Sequence, residues 1–134
     1  MRCFIFSLIV AFFSINQTHA QTLKTCDTRK QCDDMSGAEA KECYGRLLKV
    51  EDDRLNNTFK LLIKKIQSTG YTDPDKIEAE LRSSQRQWIK YRDSYCNYRF
   101  STAEGGTLGG LLKLDCSCTL TRDKADHLVD DLAN

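Results

Sequence analysis

The sequence predicts an all-α protein, a small three-helix antiparallel bundle closed by disulfides. Three observations lead there. Apolar residues recur every three or four positions through long stretches, the period of one helix face and not the alternation of a strand. The single Pro and a Gly cluster fall between those stretches, where chain breaks belong. The cysteines sit outside the middle of the longest stretches, positioned to staple helix ends.

The first segment is not part of that bundle. MRCFIFSLIVAFFSINQTHA has an Arg at position 2, an apolar run and small residues at Thr18 and Ala20, the pattern of a secretory signal peptide over residues 1–20. Its apolar run is shorter than the roughly 20 residues a membrane span needs, and no Cys follows the expected cut to carry a lipid anchor. Residues 21–134 are then one domain, with no transmembrane segment after signal removal and a periplasmic or secreted location. Without Arg2, the 20 basic residues become 19 and match the 19 acidic ones. A zero net charge without a basic stripe argues against a nucleic-acid partner.

Seven cysteines become an even set once Cys3 leaves with the leader: Cys26, Cys32, Cys43, Cys96, Cys116 and Cys118. In an exported chain such a set reads as disulfides. A metal centre needs closely spaced ligand pairs, whereas here Cys116-x-Cys118 stands alone and His127 is the one His after the leader. No metal or cofactor is expected.

The first long helix is expected from Ser36 to Ser68. Ser36-Gly37-Ala38-Glu39 fits a capping box, and Ala40, Cys43, Tyr44, Leu47, Leu48, Leu55, Phe59, Leu62, Ile63 and Ile66 form one stripe. Gly70 ends it. Asp73 is a suitable N-cap for a second helix, Pro74 to Phe100, because Pro at the first helical position loses no hydrogen bond. Its stripe, Ile77, Leu81, Ser84, Trp88, Tyr91, Tyr95 and Tyr98, predicts that Trp88, Tyr91 and Tyr95 are buried in the helix seam. STAEGGTLGG, Ser101 to Gly110, reads as a mobile loop or an irregular lead into a third helix, Leu111 to Leu132. It lacks the strand and the Lys-Ser/Thr ending of a phosphate loop.

If the first two helices form a hairpin about Gly70 to Asp73, residues whose numbers sum to about 143 share a height. That arithmetic predicts a polar spine of Asp53, Asn56, Gln85, Trp88 and Arg92, with an Asp53–Arg92 ion pair and an Asn56–Gln85 hydrogen bond as register pins. A catalytic carboxylate with its Arg is the competing reading of that spine. The hairpin also gathers the cysteines at one end. It favours Cys96 with Cys116, Cys32 with Cys43 and Cys26 with Cys118, although sequence alone does not select among the connectivities.

Trp88-x-x-Tyr91-Arg92-Asp93-x-x-Cys96, then Gly105-Gly106-Thr107, then Cys116-x-x-x-Leu120-Thr121, resembles the lysozyme-inhibitor LprI-like family of exported bacterial proteins. Asp53-Arg54-Leu55-Asn56 is similar to that family's Asp-x-Leu-Asn helix signature, and Cys32 and Cys43 match its amino-terminal cysteine pair. Cys26 and Cys118 are additions to the usual four-cysteine pattern, and their joint presence supports pairing them. Some members are membrane-anchored through a lipoprotein cysteine that this chain lacks.

The resemblance implies a binding protein that inhibits lysozyme, not an enzyme. The residues agree: His127 has no partnered nucleophile, and cysteines in disulfides are not thiolates. Lysozymes of the common animal type are strongly basic, so an acidic patch would speed association. Glu51-Asp52-Asp53 and the carboxy-terminal Asp123, Asp126, Asp130 and Asp131 are candidates, and Glu104 and Thr107 in the Gly-rich segment form the other candidate surface. The alternative is an envelope protein that neutralises another secreted hydrolase or toxin, or that has a structural envelope role.

Overall fold

The computed structural model describes residues 30–134, so the expected leader and Cys26 lie outside the described residues. A one-turn helix α1 (Lys30–Asp33) precedes three long ones, α2 (Gly37–Ser68), α3 (Pro74–Ser101) and α4 (Gly106–Ala133). No strand occurs among the described residues.

Each start and stop has a local cause. Ser36 occupies the N-cap of α2 with extended backbone, but its side chain makes no capping hydrogen bond, so the expected capping box does not close. The chain reverses after Ser68 through Gly70, whose φ is +79°. Asp73 does cap α3, its carboxylate accepting from the Lys76 N–H at 3.0 Å, with Pro74 in the first turn. The Gly-rich stretch is a short corner leading into a helix that starts at Gly106, five residues earlier than the expected Leu111. Only Thr102 to Gly105 separates α3 from α4, and Thr107, Gly109 and Gly110 are helical. Gly109 explains how the corner closes, because a Cβ there would lie 2.8 Å from the Phe100 carbonyl oxygen and 3.0 Å from its ring.

Lys65 reaches the Leu132 carbonyl and Arg54 reaches Asp126, so α2 and α4 run parallel, with α3 antiparallel to both. The most extensive packing is between α2 and α4, and the slightest among the long helices is between α2 and α3. This corrects the two-helix seam drawn from the sequence. The apolar stripe of α2 meets α4, which brings Ala125 and Leu128 to it, while α3 buries only Cys96 fully. Tyr91 and Tyr95 are therefore exposed, at 56 % and 41 %, and only Trp88 of the expected aromatic trio is partly buried, against the core.

The core falls into two parts. Cys32, Cys43, Tyr44, Leu47 and Cys118 pack at the corner end, and Leu55, Leu62, Ile66, Ala125 and Leu128 at the other. Disulfides close the corner end. Cys32 bonds Cys43 and Cys96 bonds Cys116, as the hairpin favours. Cys118 is disulfide-bonded too, while the expected partner Cys26 lies outside the described residues. Tyr44 adds a 2.5 Å hydrogen bond from its hydroxyl to Asp33, holding α1 against α2.

Candidate functional site

Between the two apolar clusters lies a polar belt. Arg92 of α3 joins all three long helices. Its Nη1 donates to Asp52 Oδ1 on α2 and to Thr121 Oγ1 on α4, each at 3.1 Å, and its Nε donates to Asp93 at 3.0 Å. Its guanidinium also stands 5.2 Å from the Trp88 ring centre, within cation–π range. The expected partner Asp53 is turned to solvent and pairs with Lys49 at 2.9 Å. Asn56 is likewise exposed, and the buried Oε1 of Gln85 has no hydrogen-bond partner among the described residues, so the Asn56–Gln85 bond does not form. Height along the helix is as the hairpin arithmetic gives it. Rotation is not, because α4 rather than α3 takes the apolar face of α2.

A second knot in the belt escaped sequence reasoning. Glu51 is 0 % exposed and accepts from Arg54 Nε at 2.9 Å, while Arg54 also donates to Asp126 at 2.6 Å and to the Arg122 carbonyl at 3.2 Å. Burial opposes the charge on Arg54, but the hydrogen bonds to Asp126 and Glu51 outweigh it and hold its pKa above the ordinary value. A signal was present: Glu51 lies four residues from both Leu47 and Leu55, on the apolar stripe itself.

This belt is a poor reaction centre. Its carboxylates face guanidinium groups at hydrogen-bond distance, and such pairing holds charges rather than leaving one to react. Its bonds are directional and tie α2, α3 and α4 at one level.

The candidate partner-binding residues lie at opposite ends. At the corner, Glu104 is exposed with φ +55°, followed by Gly105 and Gly106 at +77° and +70°. A non-Gly residue in the left-handed region is uncommon and costs roughly 1–2 kcal/mol. The Cys96–Cys116 bridge spans this corner and keeps it in shape. Thr107 is exposed in the first turn of α4. Asp130 and Asp131 are near the last turn, some 23 residues further on, or about 35 Å at the helical rise of 1.5 Å per residue. Of the four aspartates between Asp123 and Asn134, Asp126 pairs with Arg54 and Asp123 with Arg122. The carboxylates of Asp130 and Asp131 are exposed and without a partner among the described residues.

The described residues contain no group of three or more His, Cys, Asp or Glu placed to hold a metal ion. None of their helices is long and apolar enough to cross a membrane.

Comparison with known proteins places this frame. A protein of Rhizobium meliloti (strain 1021), itself uncharacterized, is 30 % identical over 95 residues, which cover 66 % of this chain and 68 % of that one. No solved structure matches the chain. The family model described as "Lysozyme inhibitor LprI" matches residues 26–128, from the first cysteine after the expected leader to the last buried leucine of α4. The chain belongs to the LprI lysozyme inhibitor family.

Proposed function

We propose that this protein is an exported, stoichiometric lysozyme inhibitor that acts by binding and without turnover. The observation that carries the reading is the family match over residues 26–128, which takes in α2, α3, the corner between α3 and α4, and α4 as far as Leu128. The geometry agrees with a binding role. A short, cross-linked three-helix frame loses little conformational freedom on association, so more of its contact energy becomes affinity. Disulfides suit an oxidising compartment, which supports processing of residues 1–20 as a signal peptide and a periplasmic or secreted mature domain of residues 21–134. The partner is a protein, a basic lysozyme, met by the corner residues Glu104 and Thr107 or by the end that holds Asp130 and Asp131.

The test is a peptidoglycan lysis assay with a basic animal-type lysozyme, titrated with the oxidised protein, beside calorimetry of the same pair. Activity should fall linearly to an end point near one inhibitor per enzyme. No inhibition and no heat at high micromolar protein would remove lysozyme as the target and favour an envelope protein with another partner.

A further inference from the structure

The sparse burial of α3 leaves a continuous face that no helix covers among the described residues. Near the α2–α3 turn, an open groove of about 580 Å³ has a floor of Leu62, Ile66, Ile77 and Leu81, with Tyr71 at its side. Glu80 and Asp131 stand on its rim, and neither carboxylate has a partner among the described residues. The cation there is Lys65, whose ammonium is engaged by the Leu132 carbonyl at 2.9 Å and the Asp131 carbonyl at 3.4 Å, at the negative end of the α4 dipole.

Glu80 and Ser84 also line a second groove of about 620 Å³, bordered by Gln87, Trp88, Tyr91 and Lys124. Beyond it the exposed rings continue. Tyr91 stacks on Tyr95 with ring centres 5.8 Å apart, and Tyr95 meets Tyr98 at 6.1 Å. An apolar trough, two unmatched carboxylates and a row of exposed tyrosines thus lie side by side along α3.

We propose that this face of α3 docks a basic protein, with a Lys or Arg side chain of the partner laid in the first groove against Glu80 and Asp131. The charge pattern selects that occupant. A long cationic side chain buries its alkyl stem on an apolar floor while its head stays with carboxylates at the mouth. An acidic or neutral group would leave both carboxylates uncompensated. Lys124 borders the second groove and repels a cation there, so the cationic anchor belongs in the first. The tyrosines then supply broad, rigid contact area at low entropic cost, as aromatic residues do at the centre of protein interfaces. The inference rests on the inhibitor reading for the partner's identity, and it takes the acid-bearing end of the molecule over the α3–α4 corner.

The experiment measures binding kinetics of immobilised basic lysozyme with the protein and three variants, E80Q/D131N, Y91A/Y95A and E104A. All three replace exposed side chains, and circular dichroism verifies that each keeps its helix content. Dissociation should be about ten-fold faster for Y91A/Y95A, because short-range contacts act mainly on the off-rate. For E80Q/D131N, affinity should fall about ten-fold at low salt, with the salt dependence of association reduced. E104A tests the rival corner: a loss of affinity there, with both α3-face variants unchanged, would give the contact to the corner and overturn the proposal. If the parent binds and both α3-face variants match it within two-fold, the face is refuted while the inhibitor reading stands.

If the parent does not bind lysozyme, the inhibitor reading fails, and the face is tested by a decalysine peptide in an amide chemical-shift titration. Shifts at Leu62, Leu81 and Leu132 that vanish in E80Q/D131N would uphold it, and their absence would overturn it. A chitooligosaccharide that shifts Trp88 and Tyr91 where the peptide does not would give the face to a glycan and also overturn it.

Discussion

Arg92 on α3 donates to Asp52 on α2 at 3.1 Å, forty positions away in the chain, with the Arg92 side chain 17 % exposed and that of Asp52 40 % exposed. The neighbouring Asp53 points to solvent. The pair, with Thr121 on α4 at the same nitrogen, ties together three helices that differ in which face they offer.

Arg92→Ala should lower stability by about 2–3 kcal/mol, since hydrogen bonds to charged groups are lost and Thr121, itself fully buried, is left short of a partner. Asp52→Ala should cost roughly 1 kcal/mol, discounted for the exposure of its carboxylate, and Asp53→Ala less than about 0.5 kcal/mol. Urea unfolding of the three variants checks the order. Equal losses at Asp52 and Asp53 would show that the ion pair is not selective for one of them.

Removing the bridge across the corner with C96S/C116S should cost about 3 kcal/mol on the chain-entropy model, because the loop it closes spans 20 residues. Thermal melting of the oxidised variant should show a midpoint lower by roughly 4–8 °C per kcal/mol lost.

Two adjacent glycines of α4 should respond in opposite directions. Gly109→Ala forces a Cβ onto the Phe100 backbone oxygen and should destabilise by about 1–3 kcal/mol. Gly110→Ala meets nothing within 4 Å and should stabilise by roughly 0.5–1 kcal/mol through helix propensity. Unfolding midpoints that move the same way for both would contradict the close α3–α4 approach.

Acid should weaken the α2–α3 end through Glu78. Hydrogen bonds from Gln67, then from Arg82, hold its pKa below the ordinary 4.5. A lowered folded pKa means the unfolded chain binds the proton first. The contribution is therefore fully present above about 4.5 and is lost as pH falls through the lower folded value. Comparing melting temperatures of the parent and Glu78→Gln between pH 6 and pH 3 should show a smaller fall for the variant. An identical fall would exclude a role for Glu78.

Freeing the corner from backbone strain should separate stability from function. Glu104→Gly suits a φ of +55° and should stabilise by up to about 1 kcal/mol. If the corner contacts lysozyme, the same variant weakens inhibition despite its higher melting temperature. If the α3 face makes the contact, inhibition is unchanged.

The sequence by itself determined the three long helices and their heights, except that α4 begins at Gly106, inside the Gly-rich stretch. Asp73-Pro74 starts α3 because Pro at the first turn loses no bond, and the apolar period along α2 survives any partner. It also determined which residues come level, since the rise per residue is constant: Arg92 meets the height of Asp52 and Asp53, and Cys96 that of Cys43. Only the tertiary structure decided rotation. Each residue turns a helix by 100°, so one position separates an ion pair in the belt from a solvated carboxylate. Two helices alone cannot say which face a third will claim. Once Ala125 and Leu128 of α4 fill the stripe of α2, the aromatic row of α3 is left outside, and Tyr91 and Tyr95 become surface. Glu51 marks the same boundary: its place on the apolar stripe was legible in the sequence, but Arg54, reached across to α4 through Asp126, is what makes its burial affordable.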